Sequence, residues 1–162
     1  GAYRVISEVG KGTTTEILFP IFDATLKNKR QHSEDLPLGT ECILFVDDEM
    51  PIVKIGTKIL EQQGYKVFGE TSSTKALKLF RKDPDQIDLV ITDMIMPEMA
   101  GPRLIRELTK IRSDIPIILC TGHTEKISGE LSKHLGIRAF VPKPMTKSEL
   151  LKTVSNVLDM DQ

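Results

Sequence analysis

From residue 41 to residue 160, short apolar runs alternate with segments in which apolar residues recur every three or four positions. The runs are typical of strands buried on both faces of a parallel sheet, and the periodic segments are typical of helices that pack one face against it. Five such units follow one another, so the pattern predicts a parallel sheet with helices on both faces. The predicted strands are Cys42 to Val46, Tyr65 to Gly69, Leu89 to Ile91, Ile115 to Cys120 and Arg138 to Val141.

Residues that begin and end helices agree with this pattern. Ser73 can cap the second helix, which ends before Pro84, and the first and fourth helices stop near Gly64 and at Gly136. The apolar residues expected to face the sheet from the fourth helix are Ile127, Leu131 and Leu135.

The first 23 residues follow a different pattern. Tyr3 to Ser7 and Thr14 to Phe19 have the composition of two short strands. Gly10 and Gly12 lie between them, where a turn can use positive φ angles. Because a two-stranded hairpin alone is only marginally stable in water, we expect it to pack on something else or on another copy of the chain.

Residues 24–39 are rich in charged and polar side chains, and Pro37 and Gly39 close the segment. This composition is typical of a linker, so we expect it to connect the hairpin to a domain over residues 40–160. Acidic and basic residues number 23 and 22 in the whole chain. Because these charges nearly cancel, and because no aromatic residues interleave with the basic residues of the linker, we expect no nucleic-acid partner.

Hydropathy and cysteine content bear on the compartment. No apolar run approaches the roughly 20 residues of a membrane helix, and no signal peptide is evident, so we expect a cytoplasmic fragment without direct membrane contact. Cys42 and Cys120 each lie in or beside an apolar strand. Buried free thiols are the favoured interpretation, with a disulfide as the alternative that no framework spacing supports.

Polar residues follow four of the five predicted strands. Each of them alone has an ordinary explanation as a helix cap, an acid at a helix N-terminus or a solvated loop residue. Because the carboxyl ends of parallel strands meet at one edge, where ligands of open α/β sheets bind, a single site accounts for all of them. The residues, in strand order, are Asp47, Asp48 and Glu49; Asp93; Thr121 and Gly122; and Lys143 and Pro144.

Carboxylates that converge at this edge repel one another and raise one another's pKa unless a cation is present. Mg²⁺ binds one or two carboxylates and keeps several waters, which suits a shallow, oxygen-rich site. Asp93 as nucleophile would form an acyl phosphate, and Mg²⁺, Lys143 and the Thr121 hydroxyl would share the oxygens of the transferred group. The pattern therefore indicates phosphoryl transfer onto an aspartate.

Four motifs at these strand ends resemble the receiver domain of two-component response regulators, in the family's order and over about residues 40–160. The resemblance implies a flavodoxin-like α/β fold, a doubly wound five-stranded parallel sheet of order 2-1-3-4-5 with five helices. The motifs are Ile43-Leu44-Phe45-Val46-Asp47-Asp48-Glu49, Asp93-Met94-Ile95-Met96-Pro97 with Gly101 eight residues after the aspartate, Thr121-Gly122, and Ala139-Phe140-Val141-Pro142-Lys143-Pro144.

The resemblance also implies roles for individual residues. Asp93 accepts a phosphoryl group from a histidine, and Asp48, Asp93 and the Ile95 carbonyl bind Mg²⁺. Asp47 acts through a metal-bound water, and Lys143 pairs with a phosphoryl oxygen. The peptide bond that follows Lys143 is usually cis in this family.

A conformational switch is implied as well. Thr121 would move toward the phosphoryl group and Phe140 would turn inward, which alters the surface of the fourth helix, fifth strand and fifth helix. The alternative for Phe140 is an ordinary strand aromatic. The implied partners are a histidine kinase domain or a histidine phosphotransfer protein, and a homodimer through the switch surface stays open.

Residues 2–20 resemble the closing strands of the ATP-binding domain of sensor histidine kinases. The residues that carry this resemblance are Ser7-Glu8, Gly10-Lys11-Gly12-Thr13 and Phe19-Pro20. The family's nucleotide-binding asparagine and aspartate boxes are absent, so the resemblance implies no ATP binding here. It does imply that residues 1–23 are a remnant of a kinase catalytic domain, and that the chain is the C-terminal part of a hybrid histidine kinase whose parent can be membrane-anchored.

Two other functions compete with this interpretation. A phosphatase of the haloacid dehalogenase type also uses an aspartate at a strand end, but it needs a second aspartate two positions on, where this chain has Ile95. A docking module that works without phosphorylation would typically lose one member of the acidic site. The complete set of Asp47, Asp48, Asp93, Thr121 and Lys143 argues against it.

Overall fold

A computed structural model describes residues 1–20, 38–122 and 135–160. The chain divides into two compact units, Gly1–Glu34 and Asp35–Gln162. In the first unit, β1 (Ala2–Glu8) pairs antiparallel with β2 (Gly12–Leu18), as the sequence predicts. Gly10 and Gly12, at φ angles of 80° and 100°, make the turn.

The two faces of this hairpin differ in charge. Tyr3, Val5 and Ile17 lie on one face with Ser7, whose hydroxyl is 2.9 Å from that of Thr13. Arg4 and Glu16 form an ion pair of 3.6 Å on the other face. Because every residue of both strands is exposed, the hairpin has no core of its own.

The second unit is a five-stranded parallel sheet of order β4-β3-β5-β6-β7. Counted along the chain within this sheet, the order is 2-1-3-4-5, so the predicted flavodoxin-like fold is confirmed. The strands are β3 (Cys42–Val46), β4 (Lys66–Glu70), β5 (Leu89–Asp93), β6 (Ile117–Thr121) and β7 (Ile137–Pro142). The helices in the described part of this unit are α1 (Met50–Glu61), α2 (Ser73–Lys82), α3 (Gly101–Ile111) and α4 (Lys147–Asp159), with a short 3₁₀ turn at Pro84–Gln86.

The helix predicted between β6 and β7 lies outside the described residues. Of its three predicted apolar residues, Leu135 is described, and its side chain is buried. The other helices begin and end close to the predicted positions. Ser72, not Ser73, caps α2, because the Ser72 hydroxyl accepts a hydrogen bond from the Lys75 amide. Thr146 and Glu149 form a capping box at the start of α4.

The core has one layer on each face of the sheet. Leu44, Val90 and Leu119 belong to the layer that α2 and α3 cover, and Phe45 and Ile91 belong to the layer that α1 and α4 cover. Strands β3 and β5 are buried along their whole length, which explains why their sequences show continuous apolar runs and no alternation.

The two cysteines lie in different core layers, Cys42 with the first and Cys120 with the second. Both are free and buried, so the prediction of buried free thiols is confirmed. Burial raises the pKa of the Cys120 thiol to about 12, which keeps it protonated at neutral pH. Within the part of the chain that the structure describes, no helix has the length and hydropathy needed to cross a membrane.

Candidate functional site

Two buried carboxylates mark the carboxyl edge of the sheet. Asp47 follows β3 directly and is 1% exposed, while Asp93 is the last residue of β5 and is 7% exposed. β3 and β5 are adjacent and parallel, so their ends carry both residues to the same edge. Two unpaired carboxylates at this depth would be costly, and the site therefore needs positive charge.

Lys143 supplies that charge. Its Nζ lies 2.8 Å from Asp47 Oδ2 and 2.6 Å from Asp93 Oδ1, so one ammonium group bridges the two carboxylates. The Lys143 amide donates to the Thr121 carbonyl at 2.8 Å, which ties the start of this loop to β6. The bond between Lys143 and Pro144 is cis, as the resemblance implies.

The surroundings shift the pKa values of two of these groups. Burial, together with the nearby negative charge of Asp47, raises the pKa of the Asp93 carboxyl above its ordinary value, although the hydrogen bond and charge of Lys143 lower it. Burial lowers the pKa of the Lys143 ammonium, but hydrogen bonds and charges from Asp47 and Asp93 together raise it above the ordinary lysine value. Lys143 thus stays charged, and Asp93 is a more basic carboxylate than one in water.

Backbone amides hold the two carboxylates in place. The Ile95 amide donates to Asp93 Oδ2 at 3.2 Å, and the Glu49 amide donates to Asp47 Oδ1 at 2.9 Å. Each carboxylate therefore has one oxygen on the lysine and the other on an amide of the loop that follows it.

The structure thus brings together three residues of the predicted set, Asp47, Asp93 and Lys143, with Thr121 joined to Lys143 through the backbone. Asp48 is exposed beside Asp47. The side chain of Phe140 is 41% exposed on β7, and that of Ile95 is exposed in the loop after β5.

The donor atoms at this edge decide which kind of metal ion the site could hold. Residues 1–20, 38–122 and 135–160 contain no group of three histidine, cysteine or acidic side chains that is already arranged to hold a metal ion. The available donors are carboxylate oxygens and the Ile95 carbonyl, which is the chemistry that Mg²⁺ prefers. The donor atoms are therefore of the type that binds a hard divalent cation, and Lys143 lies between two of the carboxylates.

Gly101 permits the close packing of α3 behind the site. Its amide donates to the Met94 carbonyl at 3.0 Å, and a Cβ at this position would stand only 2.2 Å from the Asp93 carbonyl oxygen. That oxygen belongs to the backbone of β5, which is buried and paired on both sides. A side chain here would therefore displace the strand that carries Asp93.

We expect Gly101→Ala to lower the free energy of unfolding by about 3 kcal/mol, at the upper end of the range for overpacked sites, because the backbone must move. Urea unfolding followed by circular dichroism measures this. Gly122→Ala is the matched control, since its Cβ would have no atom of the described residues within 4 Å. Equal stability of the two variants would contradict the close packing of Gly101.

The sheet order and the lysine-bridged carboxylates at its edge define a doubly wound α/β domain with an acidic site at the strand ends. Comparison with known families identifies it further. The response regulator receiver domain family matches residues 43–155, which is more than half of the chain. The chain belongs to this family, and it is a receiver domain of two-component signalling.

Individual relatives agree with this assignment. The chain is 34% identical to the sensor kinase CckA of Brucella abortus. The alignment covers 94% of this chain and 17% of that kinase, so the chain spans a small part of that relative's length. A receiver domain from Clostridium thermocellum matches with a TM-score of 0.70 and 33% identity, over 75% of this chain and 96% of that one. The receiver domain of the hybrid histidine kinase CckA matches with a TM-score of 0.61 and 27% identity, over 72% and 98%.

Proposed function

We propose that Asp93 is the phosphoacceptor and that it takes a phosphoryl group from a phosphohistidine of a histidine kinase domain or a histidine phosphotransfer protein. The observation that carries this proposal is the bridge of Lys143 between Asp93 and Asp47. It is a charge arrangement that a purely structural strand end does not need.

The chain's own residues account for the chemistry. A carboxylate oxygen of Asp93 attacks phosphorus, the phosphorus–nitrogen bond to the donor histidine breaks, and the electron pair stays on that nitrogen. The burial that makes Asp93 more basic also makes it a better nucleophile. Lys143 is held by Asp47, so it can keep its position and contact an oxygen of the transferred group.

Mg²⁺ fits this proposal as the cofactor. Asp47, Asp48, Asp93 and the Ile95 carbonyl would hold it, with Asp47 acting through a water. When bound, it supplies positive charge that lets an anionic donor approach the carboxylates. Family membership and the oxygen donors of the site support this part of the proposal.

We infer that phosphorylation is read out at Thr121 and Phe140. Thr121 ends β6 next to the site, and Phe140 lies one strand further on β7, where its side chain is partly exposed. A move of the Thr121 hydroxyl toward the phosphoryl group would leave space for the ring to turn inward. The surface around β7 and α4 would then differ between the two states and could serve self-association or partner binding.

The parent protein is proposed to be a hybrid sensor histidine kinase with this receiver in the cytoplasm. The alignment of this chain with the sensor kinase covers 94% of the chain. The alignment therefore includes β2 even if every unmatched residue lies at the N-terminus. The receiver family itself begins only at residue 43. This supports residues 1–23 as the end of a kinase catalytic domain and 24–39 as the linker to the receiver at 40–160.

Acetyl phosphate, a small phosphodonor, tests the phosphoacceptor proposal. We expect the chain to gain the mass of one phosphoryl group in the presence of Mg²⁺, as an adduct that is stable in acid and labile in alkali. Chelation of the cation should prevent the gain. An unchanged mass with Mg²⁺ present would contradict the proposal, and steady hydrolysis of a phosphate ester would favour the phosphatase alternative.

A further inference from the structure

The loop between Asp93 and α3 is held by several contacts among the described residues. The Ile95 amide donates to Asp93 Oδ2, and the Gly101 amide donates to the Met94 carbonyl. The Met96 side chain is buried in the core layer under α2 and α3. The partly buried Met99, next to Glu98, packs against the same layer. These contacts hold the loop against α3 and the sheet, and Glu98 adds a contact with α2.

Glu98 reaches the N-terminus of α2 from this loop. Its Oε2 accepts hydrogen bonds from the Ser72 and Thr74 hydroxyls, each at 2.6 Å. These hydrogen bonds lower the pKa of the Glu98 carboxyl, so the group is ionised at neutral pH. The contact joins residues 24 and 26 positions apart, and sequence spacing gives no sign of it.

The place where Glu98 binds explains why an exposed carboxylate stays there. The first turn of α2 contains no acidic residue, although a helix N-terminus favours negative charge. Ser72, the capping residue, already accepts from the Lys75 amide and uses its own proton on Glu98. Glu98 thus supplies from another segment the charge that α2 lacks, and α2 in turn holds the loop.

We propose that Glu98 is a positioning residue for the loop between Asp93 and α3. Its anchor on α2 fixes the loop that carries Ile95, whose amide orients Asp93 and whose carbonyl is one of the proposed Mg²⁺ ligands. No contact of Glu98 with Asp47, Asp93 or Lys143 is described, so it acts only through the loop. The effect on Mg²⁺ rests on the proposed function, while the effect on loop order does not.

The Glu98→Ala variant tests this by amide hydrogen exchange at Ile95 and Gly101 and by titration with MgCl₂ followed by NMR, without any phosphodonor. We expect faster exchange at Ile95 and a Mg²⁺ affinity about tenfold weaker, the low end of the loss seen for residues behind metal ligands. Glu98→Gln should lie between wild type and Glu98→Ala in both measurements, because its amide oxygen can accept the same two hydroxyl hydrogen bonds but it lacks the negative charge that the N-terminus of α2 favours.

Glu107→Ala is the matched control. Glu107 also contacts α2, through Arg81 at 3.7 Å, and it pairs with Lys110 on its own helix at 2.7 Å, but it lies outside the loop. It should leave exchange at Ile95 and the Mg²⁺ affinity unchanged. Thr74→Val, which removes one of the two donors, should shift both measurements in the same direction as Glu98→Ala, by less.

Two results would overturn the proposal. One is wild-type exchange at Ile95 in Glu98→Ala together with a lower melting temperature, which would mean that Glu98 only stabilises α2. The other is an equal effect from Glu107→Ala. If the wild type itself binds no Mg²⁺ and gains no phosphoryl group, the proposed function fails, and exchange at Ile95 still decides the positioning role.

Discussion

The Asp93→Asn variant is expected to gain no phosphoryl group under conditions in which the wild type is modified. An amide oxygen is a poor nucleophile and cannot form the acyl phosphate, whereas Asn has almost the same shape as Asp. Lys143 keeps its contact with Asp47, so the fold should be retained. Intact-mass spectrometry after incubation with acetyl phosphate and Mg²⁺ measures the loss.

Asp85→Asn is the control for this experiment. Asp85 is exposed in the 3₁₀ turn that precedes β5, at the amino edge of the sheet, and it should be phosphorylated as the wild type is. An adduct of undiminished yield in Asp93→Asn would show that another residue accepts the phosphoryl group. Circular dichroism of both variants establishes that a loss at Asp93 is chemical and does not reflect unfolding.

The Lys143→Ala variant is expected to be markedly less stable than the wild type when no divalent cation is present. Removal of the ammonium leaves Asp47 and Asp93 buried next to each other without a counter-charge. Removal of one partner of a buried ion pair lowers the free energy of unfolding by about 3 kcal/mol or more. We expect the lower end of this range because Lys143 is partly exposed. Urea unfolding in the presence of a chelator measures this loss.

Added MgCl₂ should restore more stability to Lys143→Ala than it adds to the wild type, because the cation binds only the folded state and replaces the missing charge. Lys147→Ala, an exposed lysine at the start of α4, is the control and should stay within about 0.5 kcal/mol of the wild type. A Lys143→Ala variant as stable as this control would show that the bridge between the carboxylates carries little of the folding energy.

Much of the fold is predictable from the apolar pattern. Runs such as Leu89 to Ile91 are too short for helices and lack alternation, so they fit only strands that are covered on both faces. Strand ends are less predictable. The apolar run predicts a strand that begins at Ile115, but β6 begins at Ile117 because Pro116 has no amide proton to donate to a neighbouring strand. Its carbonyl still accepts from the Val90 amide.

The contents of the site are predictable for a related reason. A parallel sheet brings all its carboxyl ends to one edge, so polar residues that follow separate strands must meet there. Asp47, Asp93 and Lys143 were predicted in this way and lie in contact. The bridge that Lys143 forms between the two carboxylates was not predicted, and its contact with a phosphoryl oxygen stays a prediction.

The sequence pattern by itself determined the parallel sheet and the acidic edge, because alternation of buried strands and helices with polar strand ends is a local property of the chain. The strand order 2-1-3-4-5 was implied by the family resemblance of the motifs. Only the tertiary structure decided which of two neighbouring acids is buried, that Lys143 bridges Asp47 and Asp93, and that Glu98 is bound to α2. These depend on distances between atoms of remote segments, which spacing along the chain does not encode.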